Sequence, residues 1–248
     1  MRRIGVLWIV AAVALFAQTV RVATAANMSF ALPELVKRFS AAHPGADIEM
    51  VVGGSGKLRA QIENGAPFDL FLSANTAYPD ALAAKGLSLG NPVVYAKGAL
   101  ALLSVNGAPL ASDLSTLTDA RYTRIAVANP VTAPYGVAAR EALTHAGIYD
   151  KVKPKLIYGE SISQTVVYTL NAADGGIIAK SALFSPKLSR FKEGEAWVAV
   201  DTTLYTPIAQ GMVLLRHAED NPDAKAFFEF LQSDEAKGVL RRYGYEVE

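Results

Sequence analysis

From Thr19 onward the chain alternates short apolar runs of strand length with stretches whose apolar residues recur every three or four positions, and small residues mark the changeovers. Thr19–Ala26 is predicted as a strand. It leads into a helix over Asn27–Phe39 with a stripe of Phe30 or Ala31, Leu32, Leu35, Val36 and Phe39. Asn27 and Ser29 are both start signals, and Pro33 fits a first turn if the regular helix begins near Leu32. Ala46–Val52 reads as a second strand and Gly53-Gly54-Ser55-Gly56 as a turn that opens a helix. After Gly65-Ala66-Pro67 comes a buried strand over Asp69–Ser73, then a short helix over Tyr78–Lys85.

The run Asn91–Ser104 is too long and apolar for one average strand and is read as a segment that leaves one lobe and enters another. Tyr205–Leu215 is a similar run that would carry the chain back, so the two crossings make a hinge. Between them the pattern recurs. Strands are predicted at Arg124–Ala128, Lys155–Tyr158 and Gly175–Ala179, with helices over Gly136–Ala146 and Gln164–Asn171. Helices over Pro222–Gln232 and Asp234–Tyr243 close the first lobe. The implied division is residues 18–96 with 206–248 in lobe 1, and 97–205 in lobe 2.

Each strand-to-helix turn is a candidate site, because a right-handed βαβ unit places it at the carboxyl end of a sheet, where open α/β folds bind ligands. A helix start offers unpaired backbone N–H groups and the positive end of its dipole, which together suit an anion. Ser55 adds a hydroxyl at one such turn; Asn27 repeats its position one strand earlier. The second lobe offers Ala133-Pro134-Tyr135-Gly136 and Ser161-Ile162-Ser163. Two catalytic readings of the glycines fail. A nucleophile elbow needs glycine where Lys57 stands. A phosphate-binding P-loop needs glycine at Val51 and Ser or Thr at Leu58.

Composition narrows the setting. Arg2 and Arg3 followed by the apolar run Ile4–Phe16 and a small residue have the layout of a secretory signal peptide, with cleavage expected after Ala17. A cut after Ala25 also meets the small-residue rule but would remove the first strand. Loss of residues 1–17 takes two of 24 basic and none of 23 acidic residues, leaving a net charge of −1 that suggests neither nucleic acid nor an anionic membrane as partner. With no cysteine, the chain has no disulfide framework and no thiolate metal site, which fits a bacterial periplasm.

Several segments together resemble the molybdate- and tungstate-binding periplasmic proteins of ABC transporters. They are Ala25-Ala26-Asn27, Gly54-Ser55-Gly56-Lys57-Leu58, Gln61–Asp69, Ser73-Ala74-Asn75, Asn129-Pro130 with Ala133-Pro134-Tyr135-Gly136, and Tyr243-Gly244-Tyr245, in the family's order. The resemblance implies an α/β type II periplasmic binding protein: two lobes, a two-strand hinge, and a tetrahedral oxyanion held between them. It places the ligand on Asn27 and Ser55 of one lobe and Tyr135 and Ile162 of the other, with Ala26, Gly54, Pro134 and Ser161 beside them. It also implies a permease as partner, a monomer, no cofactor and no enzymatic activity. One branch of the family has a ligand-contacting tyrosine where Ala179 stands here.

The residue types suit such a ligand. Its oxygens only accept hydrogen bonds, so Ser55 would give hydroxyl and N–H, Asn27 its side-chain amide, and Tyr135 and Ile162 backbone N–H groups. Lys57 and Arg59 are read as surface residues paired with neighbours such as Glu63, and Asp69 as a structural hydrogen-bond partner. His43, His145 and His217 are read as surface positions rather than metal ligands. Two other functions compete. Ten tyrosines keep ferric iron held by phenolates open, and Ser55 with His145 could be imagined as a hydrolase pair.

Overall fold

The computed structural model describes residues 18–248, so the signal-peptide reading of residues 1–17 lies outside the described residues. Two five-stranded sheets form the two lobes. In the first, β1 (Val20–Ala25), β2 (Ile48–Gly53) and β3 (Leu70–Leu72) run parallel. The crossing run divides at Ala99 into β4 (Val93–Gly98) and β5 (Leu100–Ser104), one strand for each sheet. In the second sheet β6 (Ile125–Ala128), β7 (Leu156–Gly159) and β8 (Gly175–Ala179) are parallel, while β5 runs antiparallel to β8 and to β9 (Trp197–Ala199). The chain returns through β10 (Ile208–Leu214), which lies antiparallel between β3 and β4. Strand orders are β2-β1-β3-β10-β4 and β7-β6-β8-β5-β9.

Helices cover both faces of each sheet, as near-continuous apolar strands require. Helices α1 (Leu32–Ala42), α2 (Ser55–Glu63) and α3 (Ala77–Ala84) belong to the first lobe. The second has α4 (Pro134–His145), the single turn α5 (Tyr149–Val152) and α6 (Ile162–Asn171), and α7 (Pro222–Phe230) and α8 (Asp234–Arg242) return to the first. Strand alternation sorts the core. Val20, Val22, Leu70, Leu72 and Met212 pack under α1, α7 and α8, whereas Ala23, Phe71 and Val213 meet Leu58 and Ile62 of α2 and Leu82 of α3. Sheet two repeats this, with Leu100, Leu102 and Ile177 on one face and Ala101, Leu103 and Ile178 on the other. Each fully buried Leu, Ile, Val or Phe contributes about 1.5–3 kcal/mol relative to exposure.

Some boundaries differ from the sequence reading for identifiable reasons. Asn27 lies in a 3-10 turn, Ala26–Ser29, and neither Asn27 nor Ser29 caps α1, which begins at Leu32 with Pro33 in its first turn. Helix α4 starts at Pro134, two residues before Gly136, because proline at the first position gives up only an N–H that would have no helical partner. Gly136 is packed against the end of β6, where a Cβ would lie 2.4 Å from the Ala128 carbonyl oxygen. Residues 105–123 and 185–204, for which the pattern predicts no element, hold 3-10 turns and the short edge strand β9.

Candidate functional site

Three helix N-termini and the Ala26–Ser29 turn converge between the lobes. The cavity they enclose offers about 10 Å³ to the centre of a water molecule, far below the few hundred Å³ typical of organic-ligand sites. Ala25, Ala26, Asn27, Gly53, Gly54, Ser55 and Ala74 line it from the first lobe, and Ala133, Pro134, Tyr135 and Ile162 from the second. No charged side chain is among them. Seven of the eight residues singled out from the sequence therefore meet here; Ser161 stands one step behind, its hydroxyl accepting from the Gln164 N–H 3.3 Å away to cap α6.

Gly54 takes the cap position of α2 with φ −67° and ψ 133°, leaving Ser55 as the first helical residue. The Ser55 oxygen accepts from the Ala74 N–H at 3.0 Å, so its own O–H remains to donate. Ser55, Tyr135 and Ile162 each stand in the first two positions of a helix, and no acceptor among the described residues takes their N–H groups. The donor ends of α2, α4 and α6 thus face one small volume, the arrangement that stabilises an anion.

Asn27 departs from expectation. Its Nδ2 donates to Gln210 Oε1 at 2.9 Å and to Tyr245 Oη at 2.8 Å, so both N–H bonds go to the protein, while its buried Oδ1 has no partner among the described residues. Gln210 on β10 accepts from Tyr95 Oη at 2.7 Å and donates to Tyr135 Oη at 3.0 Å. Tyr245 Oη lies 3.1 Å from the Asn27 carbonyl oxygen and 3.2 Å from Ser181 Oγ. Gln210, Tyr95 and Ser181 escaped the sequence reading. The one signal was an amide inside the apolar run Ile208–Leu215, where a buried polar group needs partners.

Burial pushes the phenols of Tyr95 and Tyr135 well above their ordinary range, with neighbouring tyrosines adding to it, and pushes Tyr245 up to about 12. These phenols are neutral at physiological pH, and their hydroxyls are hydrogen-bonded to Gln210, Asn27 and Ser181. A phenol raised in the folded chain supports stability fully below the unfolded value of about 10, and this support is lost as pH rises toward 12. The urea midpoint should therefore hold from pH 8 to 9 and fall clearly by pH 11; a flat midpoint across that range would contradict the neutral network.

The lobes touch around the cavity. Gly56 N–H donates to Thr132 O at 3.3 Å, Ser163 Oγ donates to Ala26 O at 2.8 Å, and Phe30 packs against the second-lobe core. The other candidate residues lie elsewhere. Arg59 pairs with Glu63 at 2.8 Å, and buried Asp69 accepts from Arg21 N–H at 2.7 Å and faces His217 Nδ1 at 2.8 Å. Exposed His145 faces Leu204 O at 2.8 Å and does not approach Ser55, so the imagined hydrolase pair is not assembled. Exposed His43 stacks on Phe39. Ala179 is buried in the second-lobe core.

Two α/β lobes joined by crossing strands, with a small uncharged cavity between helix starts, define a type II solute-binding protein. The chain belongs to the family described as bacterial extracellular solute-binding protein, which matches residues 20–246. It is 35% identical over 228 residues to the molybdate-binding protein ModA of Rhodobacter capsulatus, covering 91% of this chain and 87% of that one. Identity to the ModA of Azotobacter vinelandii is 33% over 234 residues, covering 94% and 91%. The solved periplasmic molybdate-binding protein of Azotobacter vinelandii superposes with a TM-score of 0.85 at 29% identity, covering 92% of this chain and 99% of that one.

Proposed function

We propose that this protein binds molybdate or tungstate in the inter-lobe cavity, outside the cytoplasm, and delivers it as a monomer to an ABC permease. The observation that carries the proposal is a small cavity entered by three helix starts and the Ser55 hydroxyl, with no carboxylate among its lining residues. Ser55, Tyr135 and Ile162 are the assigned donors, with Asn27 beside them and Ala26, Gly54 and Pro134 shaping the wall. The similarity to molybdate-binding relatives supports the choice of anion. The residues present suit binding rather than turnover, since among the described residues no base is held against the Ser55 hydroxyl. The proposed lobes are those expected from the sequence, residues 18–96 with 206–248 and 97–205, with the outward boundary moved from 97 to Ala99, where β4 ends and β5 begins. Residues 1–17 are the proposed export signal.

Sulfate carries the same charge, so discrimination rests on size. Donors fixed by helices at the spacing of a larger anion are stretched or left unpaired around a smaller one. Closure of the lobes on the anion creates the form that a permease recognises. Each hydrogen bond to the dianion contributes about 1.5–3 kcal/mol, so Ser55→Ala should weaken molybdate binding about ten- to a hundredfold by titration. Unchanged affinity would remove Ser55 from the site.

A further inference from the structure

Asn27 Nδ2 is committed to Gln210 and Tyr245, and the edge left over is an acceptor without a partner, on a residue that lines the cavity. An acceptor turned toward the cavity would repel the oxyanion proposed above. The heavy atoms also admit a second arrangement, because the two ends of an amide occupy the same places when turned over. Turn both Asn27 and Gln210, and Gln210 Nε2 donates to Asn27 Oδ1 and to Tyr95 Oη, while Tyr135 Oη donates to Gln210 Oε1. Tyr245 Oη then donates to Asn27 Oδ1, and Tyr95 donates onward to the Ser73 carbonyl at 3.3 Å. Gln210, Tyr95, Tyr135 and Tyr245 all keep partners, the Asn27 main-chain oxygen gives up the Tyr245 hydroxyl and keeps Ser181 Oγ at 3.5 Å, and the Asn27 N–H edge is freed. Turning Asn27 alone cannot do this, since it would set two carbonyl oxygens against each other 2.9 Å apart.

We propose that Gln210 is a positioning residue whose amide sense sets that of Asn27, and that an oxyanion selects the arrangement in which Gln210 donates to Asn27 Oδ1 and Asn27 donates to the anion. Gln210 sits on the return crossing β10 and reaches Tyr135 of the other lobe, so the same reversal links anion occupancy to a contact between the lobes. The proposal rests on oxyanion binding at this cavity and adds a residue that does not itself line it.

The titratable groups facing position 210 are the phenols of Tyr95 from β4 and Tyr135 from α4, with Tyr245 beyond Asn27. Lys97 of β4 is turned to Glu246 and Glu248 at 3.8 and 2.8 Å. A Gln210→Glu carboxylate can only accept, holding Asn27 in the wrong sense; once protonated it can donate to Asn27 Oδ1. Molybdate affinity of Gln210→Glu should therefore be more than a hundredfold below wild type at pH 8.5 and recover at least tenfold at pH 5.5. Gln210→Met should show a smaller, pH-independent loss. In an Asn27→Ala background the pH dependence of Gln210→Glu should largely vanish; if it persists in full, charge repulsion alone explains it and the proposal fails. A neutron structure of the wild-type protein with molybdate reads the amide directly. Deuterons of Gln210 Nε2 directed at Asn27 confirm the proposal and deuterons directed at Tyr135 overturn it, whether or not the variants fold. If wild type binds no anion, the functional reading fails first, which is a distinct result.

Discussion

Replacing Ile162 by proline is expected to weaken molybdate binding about ten- to a hundredfold while leaving α6 folded. Ile162 is the first residue of α6, where proline is favoured, and Ser161 before it already has the extended conformation, φ −144° and ψ 163°, that a following proline demands. The substitution deletes one N–H and no helical hydrogen bond. An N–H donated to a dianion contributes about 1.5–3 kcal/mol, and each 1.4 kcal/mol is tenfold in affinity. The isoleucine side chain is also buried, so Ile162→Val, which trims the side chain but keeps the N–H, is the control and should bind within about twofold of wild type. Titration with circular dichroism checks both. Wild-type affinity in Ile162→Pro would show that this backbone group does not meet the ligand.

Gly54→Val should weaken binding by about a hundredfold through a different step. The Gly54 backbone, φ −67° and ψ 133°, accommodates valine, so the first lobe can fold normally. The obstacle lies across the cleft: a Cβ at Gly54 would stand 3.1 Å from the carbonyl oxygens of both Glu160 and Thr132, backbone atoms of the second lobe. Valine adds two methyl groups toward them, and overpacking of this kind costs about 1–3 kcal/mol, paid only on closure. Small-angle scattering in saturating molybdate should show a larger radius of gyration than wild type, with an unchanged thermal midpoint of the ligand-free protein. A variant that closes and binds normally would mean that the lobes approach less tightly than this structure shows.

Much of the fold was legible because the central strands are buried on both faces and are punctuated by glycine and small polar residues. The apolar runs at Val20–Ala25 and Gly175–Ala179 and the stripe through Leu32, Leu35 and Phe39 announce themselves. The stretches around 105–123 and 185–204 do not, because their structure rests on particular backbone states and long-range packing. Leu114 takes a left-handed φ of 64° while fully buried, and β9 is a three-residue edge strand. At the site, the strand-to-helix turns were readable since a helix start suits an anion whatever its side chain, while the choice of Ile162 within its turn came from the family resemblance. The sense of the Asn27 amide was not, because it depends on Gln210 and Tyr245, which lie 183 and 218 residues away.

The central claim is that the cavity is an oxyanion site with a size filter, and calorimetric titration of residues 18–248 with molybdate, tungstate and sulfate in separate runs tests it most directly. One-to-one binding of molybdate and tungstate at about nanomolar strength, with sulfate far weaker, is the result the account predicts from helix-start donors held at a fixed spacing. Silence with all three anions, or equal affinity for sulfate, would contradict it.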